Sequence, residues 1–335
     1  DKLRIDYTDT DKGVALLENT STNLIPYSND FSQSIWAKEN GGTGNVPLVT
    51  SNIDISPDGT SNADKIVFDL NGGTTSSDLS QLRFSLSSLS GNYTNSIYLK
   101  SFDGNSYNIS ILDPNGVLNT ATITNEWKRF QYHNGGGTTS SNPFRIRLRG
   151  SEATSDNATL LIFGAMLEQN SIASSYIPTS GSAVQRAADV ANNAGNSEVF
   201  NDSEGVLFAN IAALSDDLTS RSISLSNGTY NNSLILQYRN ITNTISIKKF
   251  TTLLSTFTVP STTSYLKIAI NYSSNNIEIY LNGFLIDTNN TFTSFPLNTL
   301  DSLSFDRSDG GEDFYGKTKE ISYYDEILTD SELEY

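Results

Sequence analysis

Cysteine is absent from all 335 residues. That excludes disulfide staples, zinc knuckles and thiol nucleophiles together. Histidine occurs once, at His133, directly before the loop Asn134-Gly135-Gly136-Gly137. Any Ser-His-Asp arrangement would have to use it, yet no Gly-x-Ser-x-Gly turn accompanies it. A solvated loop histidine is therefore the expectation. Phosphate loops and dinucleotide fingerprints are also missing. No apolar run approaches the ~18 residues of a membrane-spanning helix, so membrane insertion is not expected. Positive charge is scarce: 21 Lys and Arg against 37 Asp and Glu leave a net charge of −16. An acidic chain of this kind has no general basic face for nucleic acid or an anionic membrane. No signal peptide is visible and the first residue is Asp1 rather than Met, so a processed chain or a fragment of a longer protein is expected. Asn-x-Ser/Thr triplets such as Asn92-Tyr93-Thr94 are chance matches in a chain this rich in Asn, Ser and Thr.

Apolar residues are also few. Counting glycine and omitting tyrosine they reach roughly 38% of the chain, below the usual ~45–50%. Tyr, Phe, Ile, Leu and Val nevertheless recur along the whole length, which argues for thin β-sandwiches with much polar surface rather than disorder. The length allows two domains. Residues 1–18 read as a lead-in ending in a strand at Val14–Leu17. Residues 19–179 carry short strand-like runs at 63–69, 79–86, 95–102, 107–112, 127–132, 143–149 and 159–167. Turn clusters such as Asp103-Gly104-Asn105 and Asp113-Pro114-Asn115-Gly116 separate them. Many short strands with no helical run between them predict an antiparallel sandwich, here a jelly roll. The small-residue stretch 180–195 reads as a linker. Residues 196–335 predict a second sandwich, with strands at 205–212, 221–225, 233–239, 244–249, 265–272, 276–281, 284–289, 301–306 and 318–325. Asn282-Gly283 is a hairpin signal, because both central residues of a type I′ turn need positive φ. Thr329 is a candidate N-cap for a final turn containing Glu332. The fold class expected is all-β, two antiparallel β-sandwiches joined by a short linker.

The stretch from Gly164 to Asp189, GAMLEQNSIASSYIPTSGSAVQRAAD, resembles a segment recurrent in bacteriophage tail and appendage proteins. Its buried-strand start is followed by Pro178, which holds Tyr176-Ile177 extended. Two further matches precede it in the same order: Ile5-Asp6-Tyr7 with Leu16-Leu17-Glu18-Asn19 and Thr22–Phe31, then Ser56-Pro57-Asp58-Gly59-Thr60 with Ala63-Asp64-Lys65. The resemblance implies a virion component, a tail fibre, tail appendage or head fibre, assembled in the host cytoplasm and exposed outside. Absence of cysteine fits that life. It also implies other virion proteins as partners and a homotrimer. Ser96–Lys100, Asn125–Phe130 and the last buried strand are similar to carbohydrate-binding jelly rolls. IEIYLNGFLIDT with GKTKEISYYDEILTDSELEY resembles the laminin-G and concanavalin A-like lectin sandwich.

These likenesses imply host cell-surface glycan as a partner and no catalysis. The Glu-x-Asp-x-Glu strand of concanavalin-like glycosidases has no counterpart, since Glu320 and Asp325 have opposite strand parity. Sugar binding needs aromatic faces and a few polar groups. Tyr98 and Lys100 alternate with Ile97 and Leu99, and Arg145, Arg147 and Arg149 alternate with Phe144, Ile146 and Leu148. The candidate carbohydrate-binding groove is therefore Tyr98, Lys100, Tyr132, Arg145, Arg147 and Arg149, with Arg147 central. The bland alternative is that the arginines pair with some of the many acids. Trp36 and Trp127 are expected to pack rather than to bind. The oxygen-rich loop 306–313 offers Asp306, Asp309, Glu312 and Asp313 as candidate calcium ligands, with a solvated loop as the simpler reading. No other cofactor is implied. The rival function is an ancillary carbohydrate-binding region of a bacterial surface polysaccharide-degrading protein.

Overall fold

The computed structural model describes residues 3–8 and 11–333. The chain forms two compact units, one of residues 20–187 and one joining the segment up to Asn19 with Ala188 onward. The strands are β1 Arg4–Asp6, β2 Val14–Leu17, β3 Ser21–Asn23, β4 Trp36–Gly41, β5 Asn45–Asp54, β6 Ala63–Asp69, β7 Leu79–Phe84, β8 Thr94–Ser101, β9 Tyr107–Leu112, β10 Leu118–Ile123, β11 Lys128–His133 and β12 Phe144–Arg149. They continue with β13 Asn157–Glu168, β14 Val184–Arg186, β15 Gly205–Ala213, β16 Arg221–Ser226, β17 Ser233–Tyr238, β18 Thr244–Lys249, β19 Thr252–Thr258, β20 Leu266–Ser273, β21 Asn276–Leu281, β22 Phe284–Asn289, β23 Ser302–Ser304 and β24 Gly316–Tyr324. One helical turn, α1 Asp330–Leu333, closes the described chain. No helix among the described residues is long and apolar enough to cross a membrane.

In the unit of residues 20–187, two five-stranded sheets, β10-β9-β12-β7-β4 and β11-β8-β13-β6-β5, stack face to face. Strand alternation decides which residues meet between them. Ile66, Phe68, Ile97, Leu99, Leu160 and Ile162 from one sheet pack on Leu82, Phe84, Ile109, Ile111, Phe144, Ile146 and Leu148 from the other. Trp36 lies at the centre of an aromatic group, 5.0 Å from Phe31, 5.9 Å from Phe84 and edge-on to Phe144 at 5.5 Å. Its indole nitrogen donates to the Tyr27 carbonyl at 2.9 Å, so the buried polar edge is satisfied.

The segment singled out by sequence is fastened by polar contacts. Gly164, at φ +65°, opens a bulge in β13 between Phe163 and Met166; a side chain at this φ would be strained. The bulge frees main-chain groups, and the fully buried Asn23 collects them. Its Nδ2 donates to the carbonyls of Ala165 (3.1 Å) and Ile177 (2.9 Å). Its Oδ1 accepts from the amides of Ile25 (3.1 Å) and Leu167 (3.2 Å). Glu168, also fully buried, accepts from Ser21 Oγ (2.6 Å), Ser174 N (2.9 Å), Ser174 Oγ (2.6 Å) and Asn170 Nδ2 (3.2 Å). Thr179 donates to the Ile25 carbonyl at 2.6 Å. Tyr176-Ile177-Pro178 is thus an extended arm, but a docked one.

The other unit stacks a seven-stranded sheet, β1-β2-β24-β15-β20-β21-β22, on a five-stranded one, β19-β18-β17-β16-β23. The β21–β22 hairpin turns on Asn282 (φ 51°) and Gly283 (φ 83°), as expected of Asn-Gly. At α1, Thr329 receives Glu332 on both its amide (2.9 Å) and its hydroxyl (2.7 Å), the return half of a capping box.

Residues 1–18, expected as a lead-in, supply β1 and β2 to this unit's sheet, where β2 pairs with β24 through Ala15↔Thr318 and Leu17↔Gly316. The expected linker is divided. Val184–Arg186 forms β14 on β3, while Ala194 bridges Leu303. Seven strands escaped the sequence reading: the three-residue β1, β3 and β14, and β4, β5, β10 and β19. β4 (WAKENG), β5 (NVPLVTSNID, with Pro47) and β10 (LNTATI) carry little alternation of their own and are held by their neighbours. β19 packs Leu254 alone into the buried core.

Replacing Asn23 with Ala leaves two amides and two carbonyls without this partner. At about 1–3 kcal/mol for a buried unsatisfied group, partly relieved by relaxation, the loss is expected to be on the order of 3 kcal/mol. Urea denaturation followed by tryptophan emission, which reports Trp36 in the same unit, measures it. An unchanged midpoint would show that Asn23 is not the fastening point.

Candidate glycan-binding face

The six candidate sugar-binding residues do not share one groove. β8 and β12 belong to opposite sheets, so Tyr98 and Lys100 lie on one outer face of the sandwich and Arg145, Arg147 and Arg149 on the other. Tyr132 lies on neither outer face. It pairs with the buried Asn95 on β8 and packs against the core, and burial pushes its hydroxyl pKa up. Alternation within each strand was legible in the sequence, but which sheet each strand joins was not.

The arginine face is built by register. Arg145 lies opposite Arg83 of β7, Arg147 opposite Gln81, and Gln81 opposite Glu39 of β4. Arg83, missed in the sequence because its partner strand was not known, makes a fourth guanidinium. It is held by Glu39, with Nε at 3.0 Å from Oε2, and also donates to Asn142 and to Ser85 Oγ at 2.7 Å. Arg147, expected as the central contact, is the most enclosed at 9% exposure. It pairs with Glu152 through Nε (3.1 Å) and Nη2 (2.6 Å). Ser110 Oγ donates to the same carboxylate at 2.7 Å, and Arg149 Nε lies 3.8 Å from it. Arg149 also donates to the Ser76 carbonyl at 2.9 Å.

Arg145 stands apart. No hydrogen bond or ion pair joins it to another described residue, and its Nε is buried without a partner. Burial, then the like charges of Arg147, Arg83 and Arg149, push its pKa down. Gly116, at φ +90°, leaves room for this side chain, because a Cβ there would stand 2.7 Å from Arg145 Nη2. Four guanidinium groups on this face therefore meet two carboxylates, Glu39 and Glu152, in a chain whose net charge is −16.

On the opposite face Tyr98 is largely spoken for. Arg129 stacks over its ring at 5.4 Å and donates to the Ser174 carbonyl at 2.6 Å. Phe163 lies 6.1 Å from Tyr98 and 4.9 Å from Tyr176, whose pKa burial pushes up to about 12. Lys100 is half-buried beside them. Trp127, half-buried, donates from Nε1 to the Ile55 carbonyl at 3.2 Å, so the β5–β6 connection reaches back toward the far edge of the sheet. Asp58 shapes that connection. Burial opposes its ionisation, but donors from Thr60, Ser56 and Asn62 outweigh it and hold the pKa at about 2.

Loop 306–313 does not gather its acids. Asp306 accepts from the Ser308 amide and from Asn192 (2.7 Å). Asp309 pairs with Arg307 (2.9 Å), and Asp313 accepts from Tyr315 (2.8 Å). Glu312 takes Arg307 (3.1 Å), Ser222 (2.9 Å) and Gln237 (2.5 Å). Among the described residues no group of three or more His, Cys, Asp or Glu side chains is placed to hold a metal. The expected calcium ligands are thus consumed as hydrogen-bond and ion-pair partners. His133 is exposed, with Nδ1 3.2 Å from the Tyr93 carbonyl. A depression of about 280 Å³ opens at one end of this sandwich, lined by Leu70, Gly72, Gly73, Gly150, Ala153 and Thr154 among others. Its small residues gave no sequence signal.

No protein-family model and no curated protein matches the chain. Solved structures with a similar fold include the CBM40 of the Ruminococcus gnavus IT-sialidase, at 15% identity over 44% of this chain and 93% of that one, TM-score 0.34. The same module has been solved bound to α2,6-sialyllactose, TM-score 0.35 at 15% identity over 44% and 93% of the two chains. Mouse laminin α1 domains LG4-5 align over 75% of this chain and 86% of that one, at 10% identity and TM-score 0.29.

Asp58 supplies a pH test of the loop beneath Trp127. Its folded pKa lies below the ordinary ~3.9 of an unfolded Asp. Its stabilisation is therefore complete above about pH 4 and is lost as the pH falls toward about 2. Asp58→Asn is expected to lower the melting temperature at neutral pH and to flatten the decline over that window, as read by thermal melts across an acid series. A decline of equal steepness in both proteins would remove Asp58 as its cause.

Proposed function

We propose that this chain is a non-catalytic virion protein of a bacteriophage, displayed outward as a homotrimer, whose first sandwich contacts acidic glycan at the host surface through the outer face of β7, β9 and β12. The observation that carries the glycan reading is Arg145, a half-buried guanidinium with no hydrogen-bonded or ion-paired acid, feeling Glu39 only at a distance, among three further arginines. Like charges this close destabilise one another unless an anion is shared between them. The guanidinium fork fits a carboxylate or sulfate in two hydrogen bonds. Arg83 and Asn142 flank it, and Gly116 keeps the approach clear. The virion reading is supported by the sequence resemblance of residues 5–31, 56–65 and 164–189 to phage tail proteins. As an ancillary region of a bacterial surface polysaccharide-degrading protein, the same face would hold the same ligand.

Exposed charge pairs are screened over a Debye length of roughly 8 Å at physiological salt. Binding is therefore expected to be weak per site, salt-sensitive and strengthened by display of several copies. Arg145→Ala should weaken retention on an acidic polysaccharide about tenfold or more, since a hydrogen bond to a charged group contributes ~1.5–3 kcal/mol. Arg145→Lys should recover part of it, keeping the charge and losing the fork. A glycan array on which wild type and Arg145→Ala give one profile would end the glycan reading. Negative-stain images of labelled particles locate the chain on the virion.

A further inference from the structure

Arg147, Arg149 and Ser110 converge on one carboxylate, that of Glu152, and the geometry is that of a recognition site. The Arg147 fork meets both oxygens, at 3.1 and 2.6 Å. Ser110, from the neighbouring strand β9, adds a hydroxyl at 2.7 Å, and Arg149 Nε stands 3.8 Å away. Two parallel hydrogen bonds from one guanidinium match the two oxygens of a planar carboxylate. Arg147 is also one step along β12 from the unpartnered Arg145. Side chains at i and i+2 on a strand share a face about 6.6 Å apart. The face thus holds two arginines side by side, one paired with a carboxylate of the chain itself and one not.

That carboxylate belongs to a short loop. Glu152 sits between β12 and β13, among Gly150, Ser151, Ala153, Thr154 and Ser155. Gly150, Ala153 and Thr154 form one wall of the 280 Å³ depression, so the loop has open space beside it. The amides of Glu152 and Ala153 both bond to the Arg149 carbonyl, at 2.9 and 2.8 Å. The loop is therefore pinned at its start, while the Glu152 side chain is held by the three groups it occupies.

We propose that Arg147, Arg149 and Ser110 form a second subsite for a carboxylated glycan, and that Glu152 is its internal occupant, exchanged for the ligand's carboxylate when a chain already anchored at Arg145 lies along β12. This rests on the glycan reading of the arginine face. Exchange replaces one carboxylate by another at the same donors, so no guanidinium is left unpaired at any stage. Glu152 moves to solvent, where its charge is hydrated. Its presence sets a threshold: a single isolated anion does not displace a tethered competitor, whereas a polymer carrying several carboxylates does so through its high local concentration.

The test measures binding of the intact chain to polygalacturonate, which carries carboxylates only, and to dextran sulfate, which carries sulfates only. Glu152→Gln keeps the side-chain shape and removes the competing charge, and Glu152→Ala serves as a second variant if the first loosens the loop. Glu126→Gln, an exposed residue before β11 in the other sheet, makes the same change in net charge. Circular dichroism and melting temperature confirm folding. The expected result is about tenfold tighter binding to polygalacturonate for the Glu152 variants, a smaller gain on dextran sulfate, no change for Glu126→Gln, and loss of the gain when Arg147→Ala is added. Binding that appears only once Glu152 is replaced supports the proposal equally. Equal affinity of wild type and both Glu152 variants overturns it while leaving the glycan reading standing, as does an equal gain from Glu126→Gln or on dextran sulfate. If neither wild type nor the Glu152 variants bind either polymer at low salt, the glycan reading falls and the second subsite falls with it.

Discussion

The first sandwich depends on the amide of one side chain. Asn23 has two donor hydrogens and an acceptor oxygen with two lone pairs, and all four sites are used on backbone groups. Those groups come from three separate places: the turn after β3, the bulge in β13, and the arm that follows it. An aliphatic residue of the same size would fill the space and leave them unpaired in a fully buried region. A buried carboxylate, Glu168, does similar work one step along the strand, receiving only neutral donors. The outer face of the β13 sheet can then be covered by a chain segment that has no strand partner for most of its length.

This explains what the recognisable sequence segments are for. Ala165, Leu167, Glu168, Tyr176, Ile177 and Thr179 meet Ser21, Asn23, Ile25 and Ser28 through hydrogen bonds, and Asp64 accepts from the amides of Phe31 and Asn52 at 2.9 Å each. Residues 21–28 and 165–179 of these segments thus form a clasp. None of it lies on the arginine face, so likeness in the clasp is compatible with any ligand specificity on the opposite sheet.

Legibility in the sequence followed the range of the interaction. Strands with their own alternation, such as β8 and β12, were visible because period two is a local property. The Asn282-Gly283 hairpin was visible because its φ requirement is met by two adjacent residues. β10, with its run of Asn and Thr, becomes a strand only because β9 offers it hydrogen bonds. Arg145, Arg147 and Arg149 could be placed on one face, but their unequal states could not be foreseen. Whether an arginine is paired depends on Glu152 folding back across a turn, on Arg83 arriving from β7, and on Gly116 leaving a gap. Period two puts Tyr98 and Arg145 each on a polar strand face, but sequence order says nothing of which sheet a strand enters, and β8 and β12 enter different ones.

The placement of β1 and β2 gives the chain a nested order. The unit of residues 20–187 is an insert within the other one, entering after β2 and leaving before β15. Its two ends are held side by side, since β3 and β14 pair from Ser21↔Arg186 to Asn23↔Val184. Just outside, the Asp189 amide bonds to the Glu18 carbonyl at 2.9 Å. On a ribosome the insert can complete both its sheets while β2 still waits for β24, some three hundred residues later. Because entry and exit share one doorway, an insert of different surface could be exchanged for this one without moving a strand of the host sandwich. A lineage could thus change what it touches while leaving the surrounding frame intact.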